Sequence, residues 1–300
     1  MHGGLLVVKP PGMTSHDLVA HVRDLWQVKV GHTGTLDPVA AGLLVLCLGR
    51  ATRLAQYLLD CDKVYRAEIT LGVTTSTADA EGEITDRRDA SHLTSEHIRP
   101  ALAALTGPLT MPVPAHSAVS QNGQRLYRRA RRGEAVPLPT REVMVRRWEL
   151  VAFEPGEQPA ALTEVACSKG TYVRSLAGLL GERLSTGAFL SFLVRTRVGP
   201  HELESAWTLE GLAQMTGAQA EREALLSPLA MLAHMPRIQV ASEAAERLRH
   251  GHVHTVPTVA DNAGTVTVVT EPEVLVCIAQ ATASEGQLRL KPRQVFDWDD

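Results

Sequence analysis

Gly31-His32-Thr33-Gly34-Thr35-Leu36-Asp37-Pro38-Val39-Ala40-Ala41-Gly42 sets one carboxylate, Asp37, on a glycine-rich, proline-stopped loop directly ahead of the apolar run 43–48. Pro38 fixes its own φ and biases Asp37 away from helix. The glycines let the backbone approach a ligand closely. A loop stiffened around one acid and leaning on a buried strand is how a scaffold aims a reactive group. Asp and Pro are also ordinary turn residues, and loop chemistry alone leaves both readings open.

Working outward, residues 5–8 form a short buried strand ended by Pro10-Pro11-Gly12. Thr14 or Ser15 can cap the next helix, with Asp17 in its first turn, and Leu18, Val19, Val22, Leu25 and Trp26 recur at helical spacing. After the 43–48 strand, Leu54, Ala55, Leu58 and Leu59 share one face of a second helix. Tyr65, Ala67, Ile69 and Leu71 alternate with polar neighbours, which predicts a strand with one apolar face and Tyr65 on the core side. Residues 74–83 read as a polar turn. Residues 108–140 are rich in Pro, Gly and Arg and are expected to project from the core. A strand over 162–167 precedes a helix with Val173, Leu176, Ala177, Leu180 and Leu184 as its buried stripe. Residues 201–234 look helical, with breaks at Gly211 and Gly217. Beyond Pro236 the pattern turns to β: one helix near 244–250, then strands at 266–269, 274–279 and 288–290. Strands and helices without regular βαβ alternation predict an α+β fold on a mixed or antiparallel sheet.

The acid loop resembles the catalytic motif of the TruB pseudouridine synthases, which isomerise one uridine in the TΨC arm of tRNA. Three further segments agree with that family in order: Lys9-Pro10-Pro11-Gly12-Met13-Thr14-Ser15, Lys63-Val64-Tyr65-Arg66-Ala67, and Ser168-Lys169-Gly170-Thr171-Tyr172-Val173-Arg174-Ser175. The resemblance spans about residues 5–200. It implies a pseudouridine synthase catalytic domain over 1–232, with an RNA-gripping insertion at about 108–147. A small PUA-like β-barrel that binds RNA is expected over 236–300.

Isomerising uridine means breaking C1′–N1, turning the base and bonding C1′ to C5. The nucleotide must therefore be flipped out of its stack. The resemblance gives Asp37 the essential catalytic role, as a carboxylate able to attack covalently or take a proton. Arg174 is its partner cation, since a guanidinium orients a nearby acid and keeps it ionised. Tyr65 is expected to stack on the flipped uracil, with Tyr172 and Leu193 lining the same pocket. His32 is expected to fill the space that the base leaves, and Lys169 to contact phosphate. Lys9 and Pro10 are expected to support the floor of the site. A redox-neutral isomerisation requires no cofactor, metal or nucleotide, and no phosphate-loop or dinucleotide fingerprint is present. His250, His252 and His254 alternate, but no nearby Cys or acid completes a metal site.

The chain has 300 residues, 44% of them hydrophobic, enough for one large or two modest cores. No apolar run approaches the roughly 20 residues of a membrane span. No basic segment precedes the first apolar run, and the four scattered cysteines read as free thiols, so a cytoplasmic location is expected. Net charge is −3, but residues 125–147 hold eight arginines against Glu134 and Glu142, a local balance of +6. Such a run is either a solvated face or a phosphate-binding one. Arginine without lysine, beside Tyr127, favours phosphate, with Arg128, Arg129, Arg131 and Arg132 as tRNA contacts. Under the resemblance the chain is a monomeric, stand-alone enzyme acting on uridine-55 without a protein partner. The weighed alternatives are an RNA-guided synthase of the dyskerin type and an RNA chaperone.

Replacing Arg128, Arg129, Arg131 and Arg132 together by Gln should weaken tRNA binding and flatten its dependence on salt. About five phosphate contacts correspond to a loss of roughly two to three decades in affinity between about 50 and 200 mM salt. Filter binding across that range is the check, and an unchanged slope returns the run to a solvated face.

Overall fold

A computed structural model describes residues 1–114, 120–121, 124–125, 138–257, 263–284 and 286–298. Arg128, Arg129, Arg131 and Arg132 lie outside the described residues. In chain order the first half runs β1 (Gly3–Lys9), α1 (Ser15–Trp26), β2 (Val30–His32), β3 (Ala41–Leu48), α2 (Ala55–Leu59), β4 (Lys63–Leu71), β5 (Val73–Thr75), β6 (Ile84–Arg87), α3 (Ser95–Ala104) and β7 (Gly107–Pro112). After the two-residue strands β8 (Ser120–Gln121) and β9 (Gln124–Arg125) come β10 (Thr140–Glu154), β11 (Ala160–Cys167), α4 (Val173–Arg183), β12 (Ala188–Val198) and β13 (His201–Glu202).

Among the described residues one ten-stranded sheet organises this part, with β3 and β12 side by side at its centre. Those two strands run parallel, while β1–β3, β12–β4, β4–β11, β11–β10 and β10–β7 are antiparallel. The sheet is therefore mixed and the class is α+β.

The apolar run of β3 is continuous because both of its faces are covered. Leu44, Leu46 and Leu48 pack with Leu18 and Val22 of α1, while Leu43, Val45 and Cys47 face Leu54 and Leu58. By contrast β4 has one covered face. Tyr65, Ala67, Ile69 and Leu71 join a core with Ile98 of α3 and Leu176 and Leu180 of α4, and Arg66 and Glu68 are exposed. The Thr14 hydroxyl caps α1 by accepting from Asp17 N at 3.0 Å, and the Asp17 carboxylate accepts from Thr14 N at 3.0 Å.

Several expectations need correction. The helix expected through Leu54–Leu59 is a 3-10 turn, Gly49–Leu54, followed by the single-turn α2. Leu59 is exposed because it stands at the mouth of a cavity. Gly211 is no break; it lies inside a helix, Leu209–Ala213, started by the Thr208 cap, and Gly217 opens the next one behind Thr216. The region expected to project over 108–140 begins as a strand of the sheet instead: β7 pairs with Thr140–Val145 of β10, the longest strand, and Met111 is fully buried.

The last part forms a second, five-stranded sheet in the order Arg237–Gln239, Gly264–Thr270, Val274–Ser284, Gln287–Val295, His254–Pro257. The first and last of these strands are too short to show a period. Helix Ser242–Arg249 covers the sheet through Ala244, Ala245 and Leu248. Val269, Leu275, Ile278 and Phe296 join the core that holds Leu43 and Val45. Phe296 stacks on Trp298 at 5.2 Å, and the Arg53 guanidinium lies 5.1 Å from the Phe296 ring centre. Among the described residues no helix is long and apolar enough to cross a membrane.

Gly42 sits where β3 meets β12, at φ +105°, and a Cβ there would lie 2.3 Å from the Arg195 carbonyl oxygen. Gly42→Ala should cost roughly 2–4 kcal/mol, read by chemical denaturation. A loss below about 0.5 kcal/mol would mean that this crossing tolerates a side chain.

Candidate active site

Three separated segments hold the acid loop by its backbone. Ser15, at the start of α1, donates to Leu36 O at 3.0 Å and accepts from Leu36 N at 2.9 Å. The Lys9 ammonium donates to Pro38 O at 3.2 Å, besides Pro10 O at 2.9 Å and Met13 O at 2.6 Å. Arg195, on β12, donates to Gly34 O at 3.1 Å and Leu43 O at 2.8 Å. Asp37 thus projects from a backbone clamped at Gly34, Leu36 and Pro38. Burial pulls the Lys9 pKa down to about 8, and Arg195 adds to that, while Asp37 opposes it.

The Asp37 carboxylate is 41% exposed, and its Oδ2 is 3.0 Å from Nη2 of Arg174, which is 6% exposed. Arg174 stands in the first turn of α4, a position that the helix dipole disfavours for a cation. A second carboxylate offsets this: Nη1 of Arg174 is 3.2 Å from Oδ2 of Asp79, itself 4% exposed. Nη1 also donates to Thr77 O at 3.4 Å. The other oxygen of Asp79 accepts from the Thr77 hydroxyl and from Glu81 N at 3.1 Å. The guanidinium is therefore held on one side by a buried acid and presented on the other to the half-open Asp37. The polar turn 74–83 carries this buried acid, which turn composition does not reveal.

Asp37, Tyr65, Arg174, Tyr172, Leu193 and Lys169 all line one cavity of about 410 Å³. Tyr65 and Leu193 are buried, and together they make an apolar wall beside the acid. Burial raises the Tyr65 phenol, and the neighbouring Arg195 works against that rise. Lys169 is paired at 2.7 Å with Asp60 at the exposed rim. The same cavity takes in Lys63, Arg141 and Arg195, which the sequence patterns do not single out. Lys63 closes the end of α2 by donating to Leu59 O at 2.7 Å and Cys61 O at 2.6 Å. Arg141 packs over Gly170, where an added Cβ would meet its Nη1 at 2.6 Å. Among the described residues the cavity thus has one acid and five basic side chains.

His32 stands apart from this wall. It is half-buried on β2, and its Nδ1 accepts from Gly34 N at 3.3 Å. Burial, then the charges of Arg195 and His16, lower its pKa and favour the neutral ring. Pro10 is half-buried beside Lys9. His250, His252 and His254 do not share a strand: His250 ends the helix Ser242–Arg249, and only His254 lies in a strand.

A carboxylate aimed by a buried guanidinium, beside an aromatic wall and in a cationic cavity, is an arrangement that suits an enzyme active site. The profile of the TruB family pseudouridylate synthase N-terminal domain matches residues 23–173. A tRNA pseudouridine synthase B from Symbiobacterium thermophilum is 52% identical over 83% of this chain and 82% of its own. Another, from Geobacillus thermodenitrificans, is 41% identical over 99% of this chain and 100% of its own. The chain belongs to the TruB family of pseudouridylate synthases, and is an isomerase. In fold it is similar to a solved H/ACA RNP bound to a substrate RNA containing 2′-deoxyuridine, with a TM-score of 0.76, 24% identity, and coverage of 99% of this chain and 86% of that one.

Asp79→Asn should leave Arg174 with a single carboxylate, costing about 3 kcal/mol of stability and lowering turnover while RNA binding is retained. Urea denaturation beside single-turnover kinetics checks this. Wild-type values in both would remove Asp79 from the site.

Proposed function

We propose that this chain is a tRNA pseudouridine synthase that converts uridine-55 of the TΨC loop to pseudouridine, with Asp37 as the essential carboxylate. The observation that carries this reading is the half-open Asp37, ion-paired at 3.0 Å to a buried Arg174 inside a cavity whose other charged lining residues are all basic and whose wall includes Tyr65. The names of the relatives support tRNA as the substrate. In this reading Tyr65 stacks on the flipped uracil, and Tyr172 and Leu193 close the pocket around it. Arg174 keeps Asp37 ionised and aimed. Lys169 takes a phosphate at the rim, and Lys9 and Pro10 hold the floor. His32 enters the vacated stack once RNA is bound, a role that suits a neutral ring at the loop's edge.

Residues 1–232 act as the catalytic domain, and within the expected insertion 108–147 it is the stretch between β7 and β10 that grips the tRNA arm through its arginines. Residues 236–300 act as a PUA-like RNA-binding module. Its open edges, Arg237–Gln239 and His254–Pro257, flank a cleft that also takes in Arg247. The enzyme works in the cytoplasm as a monomer, with no protein partner, metal or cofactor.

The test is tritium release from a tRNA transcript whose uridines are labelled at C5, with wild type and Asp37→Asn, no metal or nucleotide being added. Release by wild type alone, mapped to the TΨC loop, is expected. Release by Asp37→Asn at the wild-type rate would remove Asp37 from the chemistry, and no release by either protein would overturn the reading.

A further inference from the structure

Arg195 is a buried cation whose charge the ion pairs of the site do not account for. Arg195 is 2% exposed, and its side chain donates to the carbonyls of Gly34 and Leu43. Among the described residues no carboxylate forms an ion pair with it, whereas Arg174 beside it has two. Two carbonyls could be satisfied by a neutral amide, and burying a guanidinium without a counter-charge costs several kcal/mol. The position therefore has a use for a rigid, charged fork.

The register supplies that use. Arg195 is the direct cross-strand partner of Tyr65 on β4, and both line the cavity with Asp37. Direct partners on adjacent antiparallel strands project from the same face, so the guanidinium stands beside the Tyr65 ring, and its charge works against the rise that burial gives the phenol. Through Nη2 the same guanidinium holds Gly34, three residues before Asp37. One planar group therefore ties the tyrosine, the acid loop and the edge of β3 together.

We propose that Arg195 is a positioning residue that fixes the Tyr65 ring relative to the Asp37 carboxylate. This rests on the synthase reading above. Lysine cannot replace it, because an ammonium is a point charge without the planar fork that holds both carbonyls while lying beside the Tyr65 ring. A displacement of about 1 Å in such a constellation costs on the order of 100-fold in rate.

The test uses the full chain as Arg195→Lys and Arg195→Gln, each also combined with Tyr65→Phe. 3-Fluorotyrosine is placed at position 65 for fluorine NMR. Single-turnover rates should fall about 100-fold in both single variants, with tRNA affinity within about threefold of wild type. Adding Tyr65→Phe to either should cost much less than it costs the wild type, because the two residues act as a unit. The fluorotyrosine should titrate at higher pH in Arg195→Gln than in wild type. Near-normal turnover in Arg195→Lys, fully multiplicative losses, or an unchanged fluorotyrosine titration would each overturn the proposal. If Arg195→Gln does not fold, Arg195→Lys carries the same comparisons. If the wild type itself releases no tritium, the synthase reading fails, while the fluorine titration still decides whether Arg195 and Tyr65 are coupled.

Discussion

Lys9, Lys63, Arg174 and Arg195 are all at most 6% exposed, yet among the described residues only Arg174 meets carboxylates. Taking a cation out of water costs several kcal/mol unless other groups replace its hydration. Here the replacement is main-chain carbonyl oxygen. Lys9 takes three such oxygens, Lys63 two and Arg195 two. Nearly all of them belong to turns or to the end of a helix, where no ladder partner is on hand. The same contacts that close these chain ends leave their positive charge uncancelled next to the cavity. Stability and the electrostatics of the site thus come from one set of hydrogen bonds.

The sheet makes this arrangement possible. Its parallel pair, β3 with β12, brings Arg195 beside Gly42, and the antiparallel β4 then sets Tyr65 opposite Arg195. From the other side, β1 ends at Lys9, which pairs with Gly42 of β3, so Lys9 arrives under the acid loop. Helix α4 contributes Arg174 from above the same strands, and the turn after β5 brings Asp79 behind it. Four segments far apart in sequence meet around a loop of a few residues. None of them could shift without moving a buried strand, which is why a glycine is required where β3 and β12 touch.

What was legible in the sequence was local. Asp37 stood out because Gly and Pro surround it, Tyr65 because its strand alternates cleanly, and Arg174 because it follows a compact motif. The capping of α1 and the double burial of β3 were written in a Thr-x-x-Asp spacing and an unbroken apolar run. Arg195 was hidden by geometry. Register shifts between Leu190 and Phe192 and between Arg195 and Arg197 place the buried positions at 188, 190, 193, 195 and 198, so no single period of two runs the length of β12. Asp79 was hidden for another reason. Its burial depends on a bridge to Leu190, more than a hundred residues away, and on an arginine from α4. Neither relation leaves a trace in a turn's composition. The charges of β10 masked a strand whose exposed face carries them, Arg147 pairing with Glu149 and Glu164 on the open side.

The cations around the cavity fall into two sets with different physics. Arg141 and Lys169 are at the rim, where water and salt screen them, and Lys169 already shares its charge with Asp60. Lys63, Arg174 and Arg195 lie inside, against Tyr65 and Leu193, where the effective dielectric is lower and each unit of charge acts more strongly. Under the proposed reading the outer set meets the phosphates that bring the RNA in, and ionic strength weakens it. The inner set meets the base only after water has left the pocket, beyond the reach of that screening. Because both edges of Arg174 are occupied and Arg195 is tied to the backbone, this inner field is fixed before the substrate arrives. It is not assembled around it, which is the arrangement that lowers a barrier without reorganisation.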